Sequence, residues 1–282
     1  GLSKERLVTL LSVLSVPLIA LLLSAYNPIY NEDTIVNLIF KGIGVFILGY
    51  LAYILFQAAP DERKKLLVAI MITLFMTIFW GFHELSGSVI TLFSARNVEL
   101  TFMSAAQTNS LNPMFIILLA IPLSMLWTWL SKRGLNPRTP YKFGLGLLFA
   151  GLSFYVLALS GASANAEGLV PFGYLFVMYL LLSVGELFMS PVGLSKITSL
   201  SPKRIVAFMM GVWFLSSAFA FQVVGFIGKK LSVESGSAAA DPLQTLTLYT
   251  DGFQLIAQYS LISGVVVLIA SPLIKRLMGD VH

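Results

Sequence analysis

Eight apolar runs of about twenty residues follow one another along this chain, at about 6–25, 34–58, 66–93, 112–131, 143–161, 170–195, 204–228 and 252–274. A helix of that length matches the hydrocarbon core of a bilayer. Lipid offers the backbone no hydrogen-bond partners, so a spanning segment must be a helix or a strand of a closed barrel. These runs are too long for barrel strands. Only 11% of the residues are charged, against about a quarter in soluble domains. The expected fold class is therefore an all-α integral membrane protein with eight spans.

The basic residues sort by loop. One side carries Lys4, Arg6, Arg63, Lys64, Lys65, Lys132, Arg133, Arg138, Lys142, Lys196, Lys203, Arg204, Lys275 and Arg276. The other carries only Lys41, Arg96, Lys229 and Lys230. Fourteen against four is a positive-inside bias, which predicts that both termini are cytoplasmic. An even number of spans requires the same. The net charge of +5 is spread between spans and forms no continuous patch, so a nucleic-acid partner is not expected. There is no Cys, which removes disulfides, thiolate metal sites and a cysteine nucleophile.

Of the thirteen acids, only Glu84 and Glu186 lie well inside the runs. Glu186 stands fifteen residues beyond Pro171, roughly 22 Å along a helix. Glu84 stands nineteen residues past Lys65, roughly 28 Å along its own. A carboxylate at membrane depth is expensive and by default marks a substrate, ion or proton site. No Lys or Arg lies deep in any run, so the expected partner of each acid is a proton, a cationic substrate group or a basic side chain outside this chain. Burial favours the protonated acid and a nearby cation the ionised one, so such a site exchanges protons as a cation comes and goes. The plainer alternative is a protonated Glu hydrogen-bonded to a neighbouring helix.

His83 precedes Glu84, but Gly87 stands where a His-Glu-x-x-His helix needs its second His, so no zinc site is expected. His83 falls on a different helix face from Glu84; it either hydrogen-bonds a neighbour or handles protons. There is no nucleophile elbow and no P-loop, so neither an enzyme nor an ATP-driven pump is expected. Trp213 lies about ten residues into its run, too deep for an interfacial anchor; helix packing and a cavity wall are both open. Asn112-Pro113 opens the fourth run, where Asn reads either as a cap or as a ligand contact. Pro191 and Gly193 follow Glu186 and offer a kink. Gly144, Gly146 and Gly211 are candidates for close helix approach.

The stretches FWGFHELSGSVITLFSARNV, NSLNPMFIILLAIPLSMLW, PYKFGLG, GELFMSPVGLSKITSLSP and MMGVWFLSSA resemble the proton-dependent oligopeptide transporters of the major facilitator superfamily, in the family's order. The resemblance implies that residues 61–282 form the C-terminal six-helix bundle and residues 1–60 a transmembrane hairpin inserted between bundles. It implies that Glu186 receives a peptide's ammonium, that Asn112 contacts the peptide, and that Trp80, Trp213, Phe214, Ser190 and Ser217 line the site. Glu84 matches an acid of proton coupling and outer gating; Glu186 and His83 join it as proton-coupling candidates. Leu85 stands where the family usually has Gln. The family's N-terminal bundle, with its ExxER motif, pocket tyrosines and pairing Lys, has no match here, so the sequence is expected to be half of a transporter.

The expected function is proton-coupled uptake of di- and tripeptides by alternating access, in the cell (plasma or inner) membrane. Protons are the coupling ion, and no cofactor or metal is expected. The expected partners are the peptide, the lipid bilayer and an N-terminal six-helix bundle. The rival expectations are a carrier for nitrate, amino acids or drugs, and a membrane scaffold that does not transport.

Overall fold

The computed structural model describes residues 35–231 and 242–278. The chain parts into two compact units between Gln57 and Ala58. The first has one described helix, α1 (Ile35–Gln57); the span expected at 6–25 lies outside the described residues. The second unit holds α2 (Pro60–His83), α3 (Val89–Asn97), α4 (Leu111–Lys132), α5 (Thr139–Ser160), α6 (Phe172–Leu200), α7 (Val206–Leu231) and α8 (Pro242–Met278). Among the described residues, five helical segments are long and apolar enough to cross a membrane, the first being Pro60–Asn97 taken whole.

Helix starts follow local chemistry. Pro60 opens α2, where its missing N–H is no loss. Asp61 and Glu62 follow in the first turn, at the positive end of the helix dipole. Pro140 sits likewise in the first turn of α5. Pro191 lies inside α6, which continues as helix to Leu200.

Two elements differ from the expected runs. The run 66–93 is not one helix: a 3₁₀ turn, Glu84–Gly87, separates α2 from α3, and Ser88 leaves helical geometry at φ −126°, ψ −85°. The stretch Ser86-Gly87-Ser88 has weak helix formers, and hydroxyls compete for backbone partners. Thr91 Oγ1 donates to the Ser86 carbonyl at 2.9 Å. The last run starts earlier than hydropathy suggests: α8 begins at Pro242 and takes in Asp251, in a stretch expected to be loop. There Thr245, Leu246 and Tyr249 turn one face inward, so packing extends the helix beyond its apolar window.

Helix α5 is the centre of the unit and packs most extensively on α8 and α6. Gly144 and Gly146 are about 200° apart on the helix and face opposite neighbours. A Cβ at Gly146 would lie 2.9 Å from the Gly185 carbonyl of α6, and one at Gly185 would lie 2.7 Å from the Gly146 carbonyl. On the other side, Gly144 meets α8 at the Gly264 carbonyl, 3.2 Å from a Cβ placed there. Gly211 differs from expectation: it faces open space and mediates no close approach.

At the end away from the Lys/Arg-rich loops, Asn97 ties three segments together. It is fully buried. Its Nδ2 donates to the Gly168 carbonyl at 3.1 Å and the Pro242 carbonyl at 2.7 Å, and its Oδ1 accepts from Thr245 Oγ1 at 2.9 Å. Gly168 has φ +79°, and a Cβ there would strike the Leu243 amide nitrogen at 2.7 Å. Beside it, strands β1 (Val98–Glu99) and β2 (Val170–Pro171) pair in parallel. Arg96 Nη1 lies 3.3 Å from Tyr249 Oη. At the other end, Arg204 pairs with Glu62 at 2.7 Å.

Asn97→Ala would take the side-chain donor from the Gly168 carbonyl and leave Thr245 Oγ1 only its 3.1 Å bond to the Pro242 carbonyl, a loss of about 1–3 kcal/mol. The expected result is a lower thermal midpoint in detergent, with Gly168→Ala lowering it as well. An unchanged midpoint in both would show that this junction does not hold α3 to α8.

Candidate functional site

On α6, residues 179, 183, 186 and 190 follow the spacing that places side chains on one helical face. This face opposes the segment that enters α4. A 3₁₀ turn, Ala106–Ser110, presents Asn109, and Asn112 follows in the first turn of α4. The two amides meet the α6 stripe rung by rung. Tyr179 Oη donates to Asn109 Oδ1 at 2.9 Å. Asn112 Nδ2 donates to Ser183 Oγ at 3.1 Å and to Glu186 Oε2 at 3.1 Å. Ser183 Oγ in turn donates to the Tyr179 carbonyl at 2.8 Å. Asn109 Nδ2 extends the ladder to Thr91 Oγ1 on α3 at 2.9 Å.

Glu186 has a second neighbour. His83, the last residue of α2, places Nε2 3.1 Å from Glu186 Oε2. The approach is at ion-pair distance but off the line of a hydrogen bond, and Nδ1 is buried with no hydrogen-bond partner among the described residues. The imidazole leans on aromatic neighbours: Trp80 meets it edge to face at 4.8 Å between centroids, and Phe79 lies at 5.8 Å. The Glu186 side chain keeps 18% of its surface exposed and that of His83 10%. The carboxylate is thus held by the protein yet still open to a ligand.

This corrects one expectation from the sequence. Glu186 does have a basic partner within the chain, and it is an imidazole, not a Lys or Arg. Asn112 is not the cap of α4: the N-cap position falls at Ser110, and the Asn112 amide crosses to α6.

The other candidates are distributed around this centre. Glu84 is half-buried at the start of the 3₁₀ turn, directly after His83. No Lys or Arg pairs with it among the described residues. Ser190 lies one turn beyond Glu186 on the same face and is partly exposed. The Trp213 indole is buried against Gly193 of α6, a packing position. Phe214 is 62% exposed, and Ser217, partly exposed, donates to the Phe214 carbonyl at 2.7 Å. The structure brings His83, Trp80, Asn112 and Glu186 together; Trp213, Phe214 and Ser217 stand on α7. Among the described residues no group of three His, Asp or Glu side chains is placed to hold a metal ion.

Comparison with known proteins bears on this arrangement. The POT family model matches residues 23–242. The chain belongs to the POT family. POT members are transporters, not enzymes, and the chain is a multi-pass membrane protein. Among curated relatives, dipeptide and tripeptide permease B of Aeromonas hydrophila is 31% identical over 253 residues, which cover 88% of this chain and 50% of the relative. Dipeptide and tripeptide permease A of Erwinia pyrifoliae is 30% identical over 280 residues, covering 98% and 55%. Among solved structures, the peptide transporter POT in complex with sulfate superposes with a TM-score of 0.75 at 29% identity, covering 98% of this chain and 55% of that one. A POT family transporter in complex with a thioalcohol-conjugated peptide gives 0.72 at 25% identity, covering 97% and 56%. The chain spans about half the length of the curated relatives it matches.

Sequence reasoning passed over Ser183, Tyr179, Asn109 and Thr91. The one usable signal was spacing: Tyr179 and Ser183 precede Glu186 by seven and three residues, and Asn109 precedes Asn112 by three. Asn109→Ala would remove the acceptor of the hydroxyl of fully buried Tyr179 and cut the link to α3. A destabilisation of about 1–3 kcal/mol is expected, read as a lower thermal midpoint, with Tyr179→Phe largely relieving it in the double variant. Additive losses from the two substitutions would show that the rung is not formed.

Proposed function

We propose that this protein serves as the C-terminal half of a proton-coupled di- and tripeptide symporter. The observation that carries the reading is Glu186: a partly exposed carboxylate deep in α6, held by His83 and Asn112. The names of the relatives, dipeptide and tripeptide permeases, support the substrate class. In this reading Glu186 receives the peptide's ammonium and Asn112 contacts the peptide. Trp80, Ser190, Phe214 and Ser217 line the site, with Trp213 backing it from α7. Glu84, Glu186 and His83 carry the protons that drive uptake.

The wider organisation belongs to the same proposal. Residues 61–282 form the C-terminal six-helix bundle, and residues 1–60 a transmembrane hairpin ahead of it. That makes eight spans in the cell (inner) membrane, with both termini cytoplasmic as the positive-inside bias indicates. An N-terminal six-helix bundle outside this sequence completes the pocket, and the two bundles rock around a midplane site. Acid outside protonates carboxylates in the outward state, and release inside follows deprotonation.

The test is peptide uptake into proteoliposomes by the complete protein carrying this sequence, under an inward proton gradient. Glu186→Gln removes a charged hydrogen-bond partner, an interaction of about 1.5–3 kcal/mol. Uptake should fall by roughly tenfold or more while the protein still folds. Uptake at the wild-type rate in this variant would remove Glu186 from the mechanism. Competition by nitrate or free amino acids in place of dipeptides would overturn the substrate class.

A further inference from the structure

The His83–Glu186 contact assigns His83 a role that a merely structural histidine would not have. Glu186 is reached by two groups from the protein, and they differ in kind. Asn112 is neutral and cannot compete with a cation. His83 is an imidazole, a group that can carry a positive charge. Its Nε2 lies 3.1 Å from the same oxygen, Oε2, that Asn112 holds. Nδ1 is buried and has no hydrogen-bond partner among the described residues. Trp80 and Phe79 pack against the ring.

The charged surroundings are few. On its own segment the neighbouring acid is Glu84, half-buried. From α4 the facing group is the neutral Asn112, and from α6 it is Glu186. Lys196 stands ten residues beyond Glu186 on α6, about 15 Å along the helix. The described side chains of α7 include no charged residue. On α5 and α8, Lys142, Lys275 and Arg276 sit near the helix ends at the Lys/Arg-rich side, and Asp251 is exposed. Glu186 therefore has one candidate counter-cation within the described chain.

We propose that His83 is a resident counter-cation of Glu186 that an incoming peptide ammonium displaces, so that peptide binding releases the imidazole proton. The inference rests on the reading of Glu186 as the ammonium receptor. Before binding, carboxylate and imidazolium neutralise each other. On binding, the peptide's ammonium keeps its three protons and takes the imidazolium's place on the carboxylate. The proton on His83 Nε2 passes to water, and the ring remains neutral on its aromatic shelf. Total charge balances at every stage, since one cation at Glu186 replaces another. His83 thus adds a link between proton and peptide on top of whatever the acids supply.

The test counts protons released when Ala-Ala binds to the complete protein in detergent. Calorimetry at pH 6 in two buffers of different ionisation enthalpy gives that count. Wild type should release more protons per bound peptide than His83→Gln, by up to about one, since one imidazole carries one proton. The affinity ratio of His83→Gln to wild type should rise as the pH is lowered through the imidazole range. Equal proton counts in the two proteins overturn the exchange while leaving the ammonium-receptor reading in place. Absence of Ala-Ala binding by wild type in both buffers overturns that reading, and the exchange with it. Should His83→Gln fail to fold, ¹⁵N spectra of histidine-labelled wild type decide. Ala-Ala should move one imidazole from its cationic to its neutral signature at pH 6, and no such movement with peptide bound overturns the proposal.

Discussion

Helix α5 approaches the backbones of its two principal neighbours most closely at glycines. Gly146 and Gly185 present backbone to backbone between α5 and α6, and Gly144 and Gly264 do the same between α5 and α8. In lipid, the tails outside are as apolar as the side chains inside, so burial gives little net drive to pack helices, and close backbone approach with dense van der Waals contact does much of the work. A single Cβ at Gly185 would come within 2.7 Å of a carbonyl oxygen. It would force α6 away from α5, and every residue on the far face of α6 would move with it.

The site inherits that placement. Gly185 faces α5, and Glu186, about 100° further round the helix, faces α2 and the start of α4. The stripe Tyr179, Ser183, Glu186 then meets Asn109 and Asn112 at matching heights. A buried polar group without a partner is costly in a medium of low dielectric. The ladder satisfies these groups one by one and leaves Glu186 partly exposed. Because Asn109 also reaches Thr91, the ladder joins the site to α3, beyond the 3₁₀ turn where α2 ends. Stretches of 3₁₀ geometry inside a longer helix often mark hinges. Here the turn holds Glu84 and lies directly after His83, while the far end of α3 is bound to α8 through Asn97. The half-helix Val89–Asn97 is therefore anchored at both ends, through Thr91 near the 3₁₀ turn and through Asn97 at the far end.

Much of this is legible in the residues before any coordinates. The helices from α4 to α7 follow the apolar runs because hydropathy records the length that bilayer thickness demands. Glu84 and Glu186 stand out because a carboxylate in an apolar run has no routine structural use. Family membership is readable in the blocks around Glu84, Asn112, Glu186 and Trp213. The break at Glu84–Gly87 was hidden, because Ser and Gly lower helix propensity without abolishing it and the apolar run continues across them. The extension of α8 to Pro242 was hidden for the opposite reason: its inward face is stabilised by packing outside the apolar core, which a hydropathy window does not register.

By itself, the sequence determined the class of protein, the helical material, and which acids are buried. Each of these follows from a one-dimensional property, the length and polarity of a run. Only the tertiary structure decided what those acids touch. His83 and Glu186 are separated by more than a hundred residues, and the 3.1 Å between them depends on how α2 and α6 are rotated about their own axes. That rotation is set by glycine contacts on the opposite face of α6 and by amide rungs from α4. These are pairwise distances between distant segments, and no periodicity within a single segment encodes them.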